Sequence, residues 1–142
     1  MHDPPTIGID PSGRICTNLT GGPTIEKAKA IQEQFSEFSD IPVGGFDDFA
    51  GESFDLIINA TSASLSGNHL PLPKGIYAPG ATAYDMVYGK EPMYFLTDAI
   101  SLGVTHVADG LGMLVGQAAE SFMLWRGVHP DPQPVLKMLQ EL

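Results

Sequence analysis

Hydrophobic and polar positions along the chain follow two periods. Residues 55–60 (DLIINA) make a continuous apolar run of strand length, which suits a strand covered on both faces. Residues 83–88 (AYDMVY) and 104–108 (VTHVA) predict two further strands, and residues 91–102 between them read as a helix ended by Gly103. The helix after the third strand lies within residues 107–125 (VADGLGMLVGQAAESFMLW) and stops at Gly127. Upstream, Thr6–Ile9 and residues 14–17 flank Asp10-Pro-Ser-Gly13, whose order of residues favours a type I turn, so this reads as a short hairpin. Thr24 caps a helix that carries Ile25, Ala28, Ile31, Phe35 and Phe38 on one side, with Glu26, Glu33 and Glu37 away from it. Residues 61 to about 80 read as a loop rich in Ser, Gly and Pro. Pro130, Pro132 and Pro134 lead to a last helix over residues 135–142. Strand alternates with helix, and a parallel sheet covered by helices is the architecture this predicts.

The three strands end in Asn59-Ala-Thr-Ser62, in Asp85-Met-Val-Tyr88 and in Asp109-Gly110. In a parallel sheet such ends lie along one edge, where ligands bind. Strand ends also carry turn residues for purely structural reasons, so both readings stay open. Gly110 and Gly112 open the long helix with spacing G-x-G-x-x-x-G through Gly116, a weak match to a dinucleotide loop. No second strand follows with an acidic residue about 20 positions on. The pair instead lets a ligand or another backbone come close. Leu111, Leu114, Val115, Ala118, Phe122 and Trp125 form one apolar stripe of this helix. Met113 and Leu124 form a second, with Gln117 between them, which predicts packing on two sides and a buried amide. Gln117 then either bonds a neighbouring backbone group or holds a polar ligand.

Composition narrows the function classes. At 142 residues, with 43% apolar and 17% charged residues, the chain fits one folded domain. A net charge of −10 disfavours nucleic acid and anionic membrane surfaces. No apolar run approaches the length of a membrane span, and no secretory signal is visible. Cys16, the single cysteine, cannot form an internal disulfide, so a reducing cytoplasm is expected. His2, His69, His106 and His129 are scattered, without metal-ligand spacing, and His106 reads as a packed strand residue.

Three long segments carry a family resemblance: residues 55–67 (DLIINATSASLSG), 84–96 (YDMVYGKEPMYFL) and 108–131 (ADGLGMLVGQAAESFMLWRGVHPD). They closely resemble the C-terminal half of shikimate dehydrogenase. Residues 17–20 (TNLT), with the helix after them, resemble its second nucleotide-binding strand and helix. The resemblance covers residues 15–142; residues 1–14 make an atypical N-terminal strand and turn. It implies an α/β fold: a Rossmann-like three-layer αβα domain with a mostly parallel sheet, lacking parts found in the family. It implies NADPH-dependent reduction of 3-dehydroshikimate to shikimate, in aromatic amino-acid biosynthesis. It places Asn18, Thr20, Lys27, Thr61, Ser62, Met86 and Gly110 at NADP, with Met86 and Gly110 at the nicotinamide end. It places Tyr88 and Gln117 at the substrate.

Departures from the family pattern shape the expectation. The substrate domain, its catalytic Lys–Asp pair and the glycine-rich phosphate loop have no counterpart here. Residues 7–13 (IGIDPSG) faintly echo a family hinge segment, which would put Ser12 at the catalytic Asp position. Leu19 stands where the family carries the Arg that pairs with the 2′-phosphate. Lys27 matches a second basic position, though without the fork of Arg, and reads equally as a solvated helix residue. Weak NADP binding is therefore expected, and no catalytic residue is assigned. Three functions remain: an enzyme fragment catalytically incomplete alone; a non-catalytic binding module for a nucleotide or small acid; or a subunit that completes a separate substrate domain. The family's first Rossmann strand normally fills the middle of the sheet. Without it, exposed strand edges predict a homodimer or a swapped arrangement, with residues 6–17 as a filler.

Overall fold

The computed structural model describes residues 6–9, 15–18, 24–37, 42–61, 63–90 and 93–141. It contains strands β1 (Thr6–Ile9), β2 (Ile15–Asn18), β3 (Phe54–Asn59), β4 (Tyr77–Asp85) and β5 (His106–Ala108). Its helices are α1 (Thr24–Gln34), α2 (Tyr94–Ser101), α3 (Leu111–Arg126) and α4 (Gln133–Gln140). The sheet order is β2-β1-β3-β4-β5. β3, β4 and β5 pair in parallel, while β1 pairs antiparallel with both β2 and β3. β1 alone therefore runs against the other described strands, and the mostly parallel α/β sheet is as expected.

The segment proposed as a filler does fill the sheet, but within its own chain. β1 lies between β2 and β3, with Ile7 opposite Thr17 on one side and Ile58 on the other. An open gap in the sheet is therefore no reason for this chain to dimerise.

The packed core lies on one sheet face. Phe54, Ile57 and Ala83 meet Phe95 and Ala99 of α2, with Ile76 and Val104 closing the cluster. Along β4, Ala81, Ala83 and Asp85 are buried and alternate with half-buried Thr82 and Tyr84. β3 was expected to be covered on both faces. It is buried through Phe54, Ile57 and Asn59 but only half-buried through Leu56 and Ile58.

Several boundaries differ from the sequence reading for local reasons. β4 begins at Tyr77, inside the expected loop, and ends at Asp85, before Met86 and Tyr88. Its pairing with β3 shifts register between Phe54 and Leu56, so Phe54 pairs with Tyr77 while Leu56 pairs with Thr82. An irregularity of this kind breaks the alternation that a sequence scan detects. β5 is only three residues long and exposed throughout, so His106 is not packed. α1 stops at Gln34 and leaves Phe35 exposed beyond it. α4 starts two residues before the expected Val135, because the Asp131 carboxylate accepts from the Gln133 N–H at 3.0 Å. Pro132 and Pro134 are tolerated there because the first turn needs no N–H from them. α3 ends as predicted: Gly127 takes a left-handed φ of 67°, and its N–H donates to Met123 O.

Candidate functional site

The parallel pairing sets the ends of β3, β4 and β5 on one edge. Register partners on that edge are Asn59 with Asp85 and Tyr84 with Ala108. Met86, Val87 and Tyr88 continue beyond β4, and Asp109 and Gly110 continue beyond β5 into α3.

Hydrogen bonds join the three ends. Asn59 Nδ2 donates to Asp85 Oδ2 at 3.1 Å. Asn59 Oδ1 accepts from the Thr61 N–H at 2.9 Å and from Thr61 Oγ1 at 2.7 Å. Thr61 Oγ1 in turn accepts from the Ala63 N–H at 3.2 Å. Asp85 Oδ1 accepts from the Val87 N–H at 3.0 Å. The Met86 N–H donates to Asn59 O at 2.9 Å, and the Gly110 N–H donates to Val87 O at 3.2 Å. Asp109 Oδ1 accepts from the Leu111 N–H at 3.1 Å, which fixes the entry to α3. Asn59 and Asp85 are 0% exposed, and Thr61 is 1% exposed.

Gly110 answers a geometric demand. A Cβ built on it would lie 2.0 Å from the Met86 carbonyl oxygen, so the glycine admits another backbone. A Cβ on Gly112 meets nothing within 4 Å. Close approach of a backbone thus accounts for Gly110 and does not account for Gly112. Neither was distinguishable from spacing.

Beside the edge, an open cleft of ≈ 690 Å³ is walled by Tyr88, Lys90, Asp109, Leu111 and Leu114, among others. A second depression of ≈ 620 Å³ is walled by Tyr84, Val107, Asp109, Gly112 and Met113, among others. Asp109 borders both. Burial first, then the nearby carboxylates of Asp109 and Asp85, pushes the Tyr84 hydroxyl above the ordinary tyrosine range.

The edge brings together Thr61, Met86, Tyr88 and Gly110 from the sequence-derived set. Met86 and Tyr88 are exposed, whereas the Thr61 hydroxyl is engaged within the protein. Gln117 corrects an expectation: it is exposed, not buried, and its Nε2 donates to Leu114 O at 3.1 Å. The side of α3 that carries it is uncovered. Only Val115 and Ala119 of α3 are buried, and Leu124 and Trp125 are 83% and 80% exposed. Packing of α3 on two sides is therefore not observed. Asn18 falls in β2 and Lys27 in α1; Thr20, Ser62, Ser12 and Leu19 lie outside the described residues.

Sequence reasoning missed Asn59 as a partner of Asp85. The available signal was that Asn59 and Asp85 each open one of the strand-end segments expected to lie along one edge. Among the described residues, no group of three or more His, Cys, Asp or Glu could hold a metal, and no helix is long and apolar enough to cross a membrane.

Comparison with known proteins gives this edge a context. Residues 110–140 match the family model of the shikimate 5′-dehydrogenase C-terminal domain. A shikimate dehydrogenase (NADP(+)) of Dechloromonas aromatica is 49% identical over 136 residues, 96% of this chain and 48% of the relative. The corresponding protein of Nitrosospira multiformis is 46% identical over the same shares. Among solved structures, an Ael1 enzyme from Pseudomonas putida superposes with a TM-score of 0.74 at 42% identity, over 80% of this chain and 42% of its own. A Thermus thermophilus shikimate 5-dehydrogenase, solved in complex with NADP(H) and shikimate, gives a TM-score of 0.65 at 29% identity, over 81% of this chain and 42% of its own. The chain spans about half the length of the curated relatives it matches. These matches make the chain similar to shikimate dehydrogenases over about half of their length, with residues 110–140 similar to the C-terminal domain.

Proposed function

We propose that residues 1–142 form one Rossmann-like domain that acts in the cytoplasm as the NADP-binding half of a shikimate dehydrogenase. The observation that carries this reading is the shared edge of β3, β4 and β5, with Met86 and Tyr88 exposed along it. When bound, NADPH supplies the hydride for reduction of 3-dehydroshikimate to shikimate. Met86 offers an apolar surface to the nicotinamide, and Gly110 lets the Met86 backbone sit close behind it. Thr61 shapes the crevice through its loop, since its hydroxyl is already bonded to Asn59. Asn18, Thr20, Ser62 and Lys27 complete the nucleotide side. Tyr88 presents its hydroxyl to the substrate. Gln117 reaches the same substrate by exchanging its bond to Leu114 O, an exposed bond of low cost. Reduction also needs a group that handles the hydroxyl proton, and this chain assigns none.

A second reading is a non-catalytic nucleotide or small-acid binding module that performs no chemistry and pairs with its own copy. The exposed apolar face of α3 around Leu124 and Trp125 supports it.

Turnover separates the two. The purified chain is expected not to oxidise shikimate with NADP, and to gain turnover when mixed with the part of the Dechloromonas aromatica enzyme outside the matched stretch. Turnover by the chain alone, in a preparation free of host enzyme, contradicts the first reading's incomplete site. No turnover in the mixture favours the second.

A further inference from the structure

We propose that Asp85 and Asn59 are positioning residues: a buried carboxylate–amide pair that locks the ends of the parallel strands in place. The pair thereby sets where Met86, Tyr88 and Gly110 stand. The ligand side of this inference rests on the NADP reading above; the lock itself does not.

Acceptors and donors match at this pair. A carboxylate has acceptors only, and both oxygens of Asp85 meet donors: Asn59 Nδ2 and the Val87 N–H. This fixes the orientation of the Asn59 amide, whose oxygen must then face the Thr61 N–H and hydroxyl, as it does. The two side chains therefore read each other's chemistry, and neither tolerates its isostere. An amide at position 85 would aim an NH₂ either at Asn59 Nδ2 or at the Val87 N–H. A carboxylate at position 59 would face the Asp85 carboxylate. Burial raises the stakes, because an unmatched donor there cannot turn to water.

The consequences extend along the chain. Asp85 holds Val87 by its N–H, and Val87 O holds Gly110. Asn59 holds Met86 through its carbonyl and Thr61 through its side chain. The Cβ space at Gly110 is closed by Met86 O at 2.0 Å, so a shift of the Met86 turn displaces the start of α3. A two-residue buried pair thus couples the β3 loop, the β4 turn and the α3 entry.

Exchanging the two side chains tests this. Asp85→Asn combined with Asn59→Asp restores each bond described. The amide introduced at position 85 donates through its nitrogen to the new carboxylate at position 59, and its oxygen accepts from the Val87 N–H. The other oxygen of that new carboxylate accepts from Thr61. Amide hydrogen exchange on the whole chain is the readout, with Phe95 in the core as reference. Asp85→Asn is expected to speed exchange at Thr61, Val87 and Gly110 by about tenfold more than at Phe95, the effect of one lost buried bond. The exchanged pair is expected to return these sites to within about threefold of wild type. Uniform acceleration in Asp85→Asn that includes Phe95 would overturn the lock. So would an exchanged pair no better protected than the single variant. If Asp85→Asn fails to fold, the exchanged pair decides: folding with restored protection supports the lock, and failure to fold overturns it. A parallel NADPH titration follows the Met86 methyl resonance. A wild-type chain without any NADPH-induced shift removes the NADP reading while the exchange result still judges the lock.

Discussion

Helix α2 seats Phe95 and Ala99 against Ile57 and Ala83, whereas α3, with 16 residues to α2's 8, buries only Val115 and Ala119. Both sequences are rich in apolar residues. The difference lies in what stands opposite. α2 faces β4 and β5, while the far side of α3 carries Phe122, Leu124 and Trp125 to the surface. An apolar stripe records that a face is made to be covered; it does not say that this chain covers it. The stability of the described fold therefore resides around α2. The α3 face stays uncovered among the described residues.

The sharpest way to break this contrast is truncation on each side. Phe95→Ala is expected to lower the unfolding free energy by about 3–5 kcal/mol, the range for emptying a packed aromatic site. Leu124→Ala is expected to change it by less than about 0.5 kcal/mol, as for exposed positions. Urea unfolding followed by circular dichroism measures both; comparable losses would show that the α3 face is covered in solution.

A smaller contrast separates the two glycines. Gly110→Ala must displace the Met86 backbone and is expected to cost about 1–3 kcal/mol, as overpacking does. Gly112→Ala sits in the helix with open space and is expected to gain about 0.5–1 kcal/mol. Thermal melts of the two variants decide, and equal losses would contradict the assigned close approach.

The weakest effect belongs to the surface near α3. His129 Nε2 lies 2.8 Å from Glu120 Oε1, and this hydrogen bond, with the attraction of the carboxylate, raises the His129 pKa above its usual 6.5. A raised folded-state pKa stabilises the fold below pH 6.5, and that contribution fades as pH rises through the folded value. The pair is exposed, so the gain is small. An NMR titration of the His129 ring is expected to show a midpoint above 6.5, returning toward 6.5 in Glu120→Gln.

Much of this was legible in the chain. The DLIINA run, the glycine stop at Gly127 and the hairpin halves around Asp10 marked elements that the structure contains. Motif order placed Thr61, Met86 and Gly110 at strand ends. Three things were not legible. The register shift after Phe54 hid the first residues of β4, because a bulge resets the two-residue period. The hairpin reading already made β1 antiparallel to β2, but nothing local in TIGI announced that β1 would also pair antiparallel with β3, since register and direction depend on partners distant in sequence. The Asn59–Asp85 pair escaped because each residue alone resembles an ordinary strand terminator. Only their parallel alignment makes them a pair.

Central to the proposed function is that the shared strand edge, and not the exposed α3 face, receives the nucleotide. Titrating NADPH into the chain to several millimolar, observed by NMR, tests this directly. Saturable shifts are expected at the Met86 methyl and Gly110 amide with a Kd of about a millimolar, or under ~4 kcal/mol, while the Trp125 indole stays still. Shifts centred on Trp125, or none at Met86 and Gly110 at those concentrations, would contradict it.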